Sequence, residues 1–257
     1  MKPAIIKIGG STISQLPSTF YRDIGELYET RQVVVVHGGG PAINESLAKQ
    51  QIKPDFHQGL RVTSSAVMKV VEEVLAGSLN KALVRHFSDQ NVKAAGISGQ
   101  DGQLLKARIL NEKLGLVGDV KEVNPSVIHA LLNAGFIPVI APVGLGEHGE
   151  ALNINADHAA VHIAKSLGGD LIFATDVPGV MKHNHVLTHL SHDEAKDLIK
   201  DGTISGGMIP KVEAALHAVQ SGIEQTFILN GFETGVITAY QHNRSTGTTF
   251  SKKVVQS

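Results

Sequence analysis

VVVVHGGGPAIN, residues 33–44, decides how this chain is built. Four consecutive valines, β-branched and without polar alternation, read as a strand buried on both faces of a parallel sheet. The run passes through His37 into Gly38, Gly39 and Gly40. Pro41 then suits the first position of a helix, where its missing N–H costs nothing. A strand that ends in glycines and feeds a helix is the opening half of a β–α–β unit.

Outward from this stretch the pattern repeats. Apolar runs at Ala4–Ile8, 32–36, 93–97, 136–141, 171–175 and 226–229 read as strands. Helical periodicity occupies 41–51, 64–85, 125–134, 157–167, 193–200 and 209–221. Within 64–85, Val67, Val70, Val71, Val74 and Leu75 fall on one helical face. Strand–helix alternation on this scale predicts crossover connections and an open, mainly parallel sheet with helices on both sides. A soft boundary falls near 166–170, where Gly168 and Gly169 end one helix just before a strand.

Composition narrows the function classes. A net charge of -1 and an aromatic fraction of 4% with no Trp argue against a nucleic-acid partner, which needs basic excess and stacking surfaces. The absence of Cys excludes disulfides, thiolate metal sites and Cys nucleophiles, and fits a reducing compartment. No stretch approaches the roughly 20 apolar residues of a membrane helix. The expectation is a soluble, cytoplasmic protein.

In a parallel sheet, ligands bind beyond the C-terminal strand ends. Two strands here end in glycine there: Ile5, Ile6, Lys7 and Ile8 before Gly9, Gly10, Ser11 and Thr12, and the valine run before Gly38, Gly39 and Gly40. Glycines let an anion approach backbone N–H groups, and a following helix N-terminus adds positive potential. Each loop alone also describes a tight turn. No GxxxxGK[ST], HRD, DFG or strand-following GxGxxG string is present, so any ATP chemistry follows another scheme.

Charged residues flank the same end of the sheet. Lys7 sits among apolar neighbours, either snorkelling from an edge or held for a purpose. Lys211 follows Gly206, Gly207 and Pro210 into the first turn of a helix, where the dipole disfavours a cation. It is a surface lysine or part of an anion site. Asp157, after Asn153 and Asn155, reads as the cap of the next helix or as a carboxylate that positions lysines. Asp176, Val177, Pro178, Gly179 and Val180 form a turn after the strand 171–175.

In order, the strings KIGGS (7–11), VVVVHGGGPAIN (33–44), GLRVT (59–63), NINADHAA (153–160), TDVPGV (175–180) and GGMIPK (206–211) closely resemble the amino acid kinase family. They span nearly the whole chain. GLRVT, VLAGSLNK (74–81) and NxNAD place the likeness nearest the branch that acts on N-acetyl-L-glutamate. Relatives that use carrier-bound aminoadipate are close as well, and those acting on other small carboxylates stand further off. A dinucleotide-dependent or non-catalytic nucleotide-binding protein is the alternative from another class.

The resemblance implies a three-layer αβα sandwich around a central, mainly parallel sheet. Residues 1–167 would form an N-terminal lobe for the amino acid and for dimerisation, and 168–257 a C-terminal lobe for ATP. It implies ATP-dependent phosphorylation of the γ-carboxylate of N-acetyl-L-glutamate, a step of arginine biosynthesis, with Mg2+ carried by the phosphates and no protein metal site. Lys7 and Lys211 would neutralise the transferring phosphoryl group, and Asp157 would orient both. Gly39, Gly40, Arg61, Asn153 and Asn155 would hold the amino acid. Gly9, Gly10, Asp176, Val177, Pro178, Gly179, Val180, Met181, Thr203, Ile204 and Ser205 would hold ATP. Arginine-inhibited members carry an extra N-terminal helix that links dimers into a ring. Lys7 comes early here, so the expectation is an arginine-insensitive homodimer. The cluster His183, His185, His189 and His192 lacks the spacing of a paired zinc site and reads as a solvated loop or hairpin.

Overall fold

The computed structural model describes residues 2–242, 244 and 246–252. Its main sheet has eight strands in the order His189–Ser191, Thr248–Ser251, Gln225–Asn230, Asp170–Thr175, Ala4–Ile8, Val33–His37, Ile137–Ala141 and Ala94–Ser98. The last six are mutually parallel. Thr248–Ser251 runs antiparallel to Gln225–Asn230, and His189–Ser191 pairs parallel with it at the edge. Ala4–Ile8 lies centrally, with Lys7 between Val36 and Phe173 in register. The chain adds Val33–His37 on one side of it and, much later, Asp170–Thr175 on the other. The loops leaving these three strands therefore converge at the switch point where open α/β sheets bind ligands.

The strand pleat sorts side chains between two cores. Ile5, Val34, Val36, Leu171 and Phe173 pack under the helices Ala156–Leu167 and Met208–Gln220. Their neighbours Ala4, Ile6, Ile8, Val33, Val35 and Ile172 pack against Ser18–Tyr28, Asn80–Ser88 and Val236–Gln241 on the opposite face. This is a helix–sheet–helix sandwich. The valines are fully buried, each contributing roughly 1.5–3 kcal/mol.

Several elements depart from the periodicity. Helix 64–85 is realised as Ser65–Glu72, a π-helical stretch Glu73–Leu79 and Asn80–Ser88, with no break between them. Asn155, not Asp157, caps Ala156–Leu167: its Oδ1 accepts from the Asp157 amide at 2.8 Å and from the His158 amide at 3.2 Å. An Asn one residue before a helix satisfies the N2 and N3 donors directly, and this leaves the Asp157 carboxylate free. Helix Ser18–Tyr28 was not evident from the sequence, although Phe20, Tyr21, Ile24 and Leu27 make its buried face.

A small closed barrel of Leu105–Ile109, Val117–Val123, Val143–Leu145 and Ala151–Ile154 also escaped the pattern. His183 and Asn184 take left-handed φ values at the turn between Met181–Lys182 and His185–Val186, a two-residue hairpin. Among the described residues no group of three or more His, Cys, Asp or Glu side chains is placed to hold a metal ion.

Candidate active site

Two cavities open where the switch-point loops meet. One, of about 360 Å³, is lined by Lys7, Gly9, Gly10, Asp176, Pro210 and Lys211 among others. The second, of about 220 Å³, is lined by Gly38, Gly39, Phe56, Arg61, Asn153 and Asn155 among others. Gly10, Gly40 and Asp157 line both. The two cavities are thus neighbouring halves of one site, divided by two glycine loops and a carboxylate. A further hollow of about 470 Å³ lies beside Asn91 and Gly135, at the N-terminal end of the strands. It has neither the two glycine loops nor Lys7 and Lys211, and lies away from the strand ends where such sheets bind ligands.

The glycine loops touch because neither has a side chain at the contact. A Cβ on Gly10 would come within 2.5 Å of the Gly39 nitrogen and 2.8 Å of the Gly40 nitrogen. Pleat alternation turns Lys7 to the same face as Ile5, toward helix Ala156–Leu167, where its Nζ meets Asp157 Oδ1 at 2.7 Å. Lys211, in the first turn of Met208–Gln220, meets Asp176 Oδ1 across the larger cavity at 2.6 Å. In this arrangement Asp157 engages Lys7, whereas Lys211 engages Asp176. The hydrogen bond from Lys211 is the main reason the Asp176 carboxyl is held below its usual range. The result is two lysines facing one cavity, each with its own aspartate.

Arg61 is the organising residue of the smaller cavity. It stands in the hairpin Phe56–His57 and Leu60–Arg61, whose turn uses Gln58 and Gly59, both at left-handed φ. Two such residues match the preferred two-residue hairpin turn, which explains the glycine of GLRVT. Nη2 of Arg61 donates to Asn44 Oδ1 at 2.6 Å and to the Gly40 carbonyl at 3.3 Å. The guanidinium carbon lies 4.7 Å from the centre of the Phe56 ring. Nη1 is buried and has no partner among the described residues. A buried guanidinium donor without an acceptor is costly unless a ligand supplies one. An anion of carboxylate geometry is the natural complement.

Asn153 closes the other side. Thr63 is fully buried and donates its hydroxyl proton to the Arg61 carbonyl at 2.7 Å. Its oxygen must therefore accept from Asn153, whose Nδ2 lies 3.1 Å away. That fixes the amide with Oδ1 available for another donor. Thr63 ties together the hairpin that carries Arg61 and the strand that carries Asn153.

The remaining expected residues are placed differently. Of the segment 176–181, only Asp176 lines the larger cavity. Val180 is buried, its amide donating to Thr248 Oγ1 at 2.8 Å, and Met181 is exposed. Ile204 is buried between Thr203 and Ser205, and none of the three lines the cavity. Residues given no role from the sequence also enter the site: Asn44 and Phe56 around Arg61, Thr63 behind Asn153, and Ser11, Thr12 and Thr175 in the larger cavity. Asn44 lay within the quoted string but carried no spacing signal of its own.

A model of the amino acid kinase family matches residues 2–230. The chain is 47% identical over 228 residues to the acetylglutamate kinase of Bacillus cytotoxicus, covering 88% of this chain and 89% of that protein. It is 39% identical over 263 residues to the acetylglutamate kinase of Oceanobacillus iheyensis, covering 100% and 99%. Among solved structures, that of smu.665 from Streptococcus mutans superposes with a TM-score of 0.83 at 32% identity, covering 98% of this chain and 99% of that one. Carbamate kinase from Giardia lamblia bound to AMP-PNP superposes at 0.69 with 17% identity, over 98% and 99% of the two chains, a likeness of fold alone.

Proposed function

The chain belongs to the amino acid kinase family, and from that premise we propose that it transfers the γ-phosphoryl group of ATP to the γ-carboxylate of N-acetyl-L-glutamate. The products are N-acetyl-L-glutamyl 5-phosphate and ADP, a step of arginine biosynthesis. The observation that carries this reading is the buried, unpartnered Arg61 Nη1 in a small cavity sharing Gly10, Gly40 and Asp157 with a cavity that holds two lysines. An anion-binding pocket next to a polyanion-binding one suits a carboxylate acceptor and a nucleotide donor.

The chemistry asks for little proton transfer. The acceptor carboxylate, with a pKa near ~4.3, is already ionised at neutral pH. One of its oxygens bonds to the γ-phosphorus as the bond to the β,γ-bridging oxygen breaks, and ADP leaves with that electron pair. The obstacle is bringing one anion to another, so positioning and charge neutralisation dominate. In this reading Lys7, oriented by Asp157, and Lys211, released from Asp176 by phosphate oxygens, flank the transferring group. The amides of Gly9 and Gly10 face the phosphates, while Gly39, Gly40, Arg61, Asn153 and Asn155 hold the amino acid. The stretches 176–181 and 203–205 contribute to the nucleotide side through Asp176 and backbone groups.

Mg2+ accompanies this nucleotide chemistry. It keeps several waters and takes only one or two carboxylates when phosphates supply the rest. Asp157 and Asp176, the carboxylates lining the larger cavity, fit that limited demand. When bound, the metal would draw charge from the phosphate oxygens.

The reading also carries a division near 167/168 into an amino-acid lobe and a nucleotide lobe, a homodimer, and a cytoplasmic location. Among the described residues no helix is long and apolar enough to cross a membrane. Light scattering tests the dimer. The reaction is tested by ADP release from Mg-ATP with N-acetyl-L-glutamate, L-glutamate, L-aspartate or carbamate, with hydroxylamine present to trap an acyl phosphate. Turnover and hydroxamate with N-acetyl-L-glutamate alone is the expected result. Preference for another acid, or silence on all four, overturns it.

A further inference from the structure

His37 and Asn80 are fully buried polar side chains with no part in the transfer scheme above. His37 ends the valine strand, one residue before the glycine loop. Its Nδ1 lies 2.9 Å from the Gly38 carbonyl oxygen. A carbonyl only accepts, so Nδ1 carries the proton and Nε2 is left as an acceptor. Asn80 Nδ2 donates to that Nε2 at 3.2 Å, and lies 2.9 Å from the Val139 carbonyl and 3.3 Å from that of Ile97. Its Oδ1 accepts from Lys81 Nζ at 3.0 Å. One amide thus ties together three adjacent parallel strands. Gly96 leaves the space, because a Cβ there would collide with Asn80 Oδ1. The π-helical stretch Glu73–Leu79 ends directly before Asn80, and its Leu75 and Leu79 pack where a Gly39 side chain would stand.

We propose that His37, locked by Asn80, is a positioning residue that aims the Gly39 amide at the amino-acid substrate, an inference that rests on the function proposed above. A trans peptide is planar, with its C=O and N–H on opposite sides. Pinning the Gly38 oxygen toward His37 therefore sets the direction of the Gly39 N–H. That amide donates to no other described residue, and Gly39 lines the cavity that holds Arg61. Burial, reinforced by the charge of Lys81 and opposed by the Gly38 carbonyl, brings the His37 pKa down to about 4 and keeps the ring neutral. A neutral ring preserves Nε2 as the acceptor that Asn80 needs.

Two conservative variants separate positioning from packing. In His37→Asn the side-chain amide reaches the position of Nδ1 and keeps the bond to Gly38, but loses the partner of Asn80. In His37→Gln the amide reaches the position of Nε2 and keeps a partner for Asn80, but loses the bond to Gly38. His37→Gln is expected to hold its Tm yet lose at least ~10-fold in kcat/KM for N-acetyl-L-glutamate, with KM for ATP within ~2-fold. This is a fraction of the ~100-fold cost of deleting a donor outright. His37→Asn is expected to lose Tm yet keep kcat/KM within ~3-fold. Activity that follows Tm in both variants, or a fully active His37→Gln, overturns the proposal.

In unaltered enzyme labelled with 15N-glycine, the Gly39 amide resonance should shift when N-acetyl-L-glutamate is added. An unmoved resonance overturns the proposal whatever the variants do. A wild-type enzyme inert toward N-acetyl-L-glutamate but active on another acid refutes the substrate reading instead, and the crossed comparison is then read with that acid.

Discussion

Arg61 has its Nη2 spent on Asn44 and Gly40 and its Nη1 buried without a partner among the described residues. A planar fork with one free tine is matched to a carboxylate and poorly replaced by the point charge of lysine. A charge-assisted hydrogen bond to a ligand is worth about 1.5–3 kcal/mol, roughly 10- to 150-fold in affinity. Arg61→Ala is accordingly expected to raise KM for N-acetyl-L-glutamate by ~100-fold and to leave KM for ATP nearly unchanged, with Arg61→Lys recovering little. Initial rates with each substrate varied in turn decide it, and equal rises in both constants would remove Arg61 from the amino-acid side. Lys7 carries a different expectation, because it faces the cavity shared with Lys211. Lys7→Ala should lower kcat by at least ~100-fold, the scale of a lost electrostatic donor at a transition state, and near-normal turnover would dismiss it. Lys7 and Arg61 were legible in the sequence, one as a charge inside an apolar strand and the other inside a motif. Asn44, Thr63, His37 and Asn80 were not, since their importance lies in partners up to 90 residues away, as between Thr63 and Asn153. Asp157 was legible as a candidate, but its neighbour Asn155 took the capping role, a competition that spacing alone leaves undecided.

At the scale of elements, the glycine loops after Ala4–Ile8 and Val33–His37 work as a pair because their backbones touch. A methyl on Gly10 meets backbone nitrogens of the opposite loop, which cannot rotate away as a side-chain tip could. A methyl on Gly9 meets only Thr12 Oγ1, at an ordinary 3.5 Å. Gly10→Ala is therefore expected to displace both loops and lower kcat by ~100-fold or more, the order seen when an aligned donor is lost, while Gly9→Ala costs far less. Equal kinetic effects of the two substitutions would refute the loop contact as a catalytic constraint. The strands that end in these loops were visible in the sequence because they are buried on both faces and read as continuous apolar runs. The barrel strands were not visible, since Leu105–Ile109 and Ala151–Ile154 are short and interrupted by Lys106, Arg108 and Asn153. Periodicity also predicted one helix over 64–85 without its π-helical middle. A 3.6-residue repeat identifies a buried face, but the local widening that carries Asn80 to the sheet leaves that face apolar throughout.

Across the whole molecule, the buried histidines make folding stability depend on pH in a direction that can be worked out. Burial lowers the pKa of His37 from an ordinary 6.5 to about 4, and it also lowers those of His158 and His162. Below pH 6.5 the unfolded chain binds protons that the folded chain refuses, so stability rises with pH across this window. The contribution is fully present above pH 6.5 and is lost as pH falls toward 4. From His37 alone, a drop from pH 7.5 to 5 removes about 2 kcal/mol, or ~4 °C in Tm for a chain of this size. His158 and His162 add to the fall. The depressed carboxyls, Asp176 among them, act only at lower pH and are largely exposed, so they leave this window to the histidines. Thermal unfolding at pH 7.5, 6 and 5 should therefore show Tm falling steadily, with a shallower fall in His37→Gln, whose amide does not titrate. A Tm that is flat or rising on acidification to pH 5 would mean that these rings are not held neutral. The lock between the valine strand and Asn80 would then have to be rebuilt on a charged imidazole, whose Nε2 no longer accepts from the Asn80 amide.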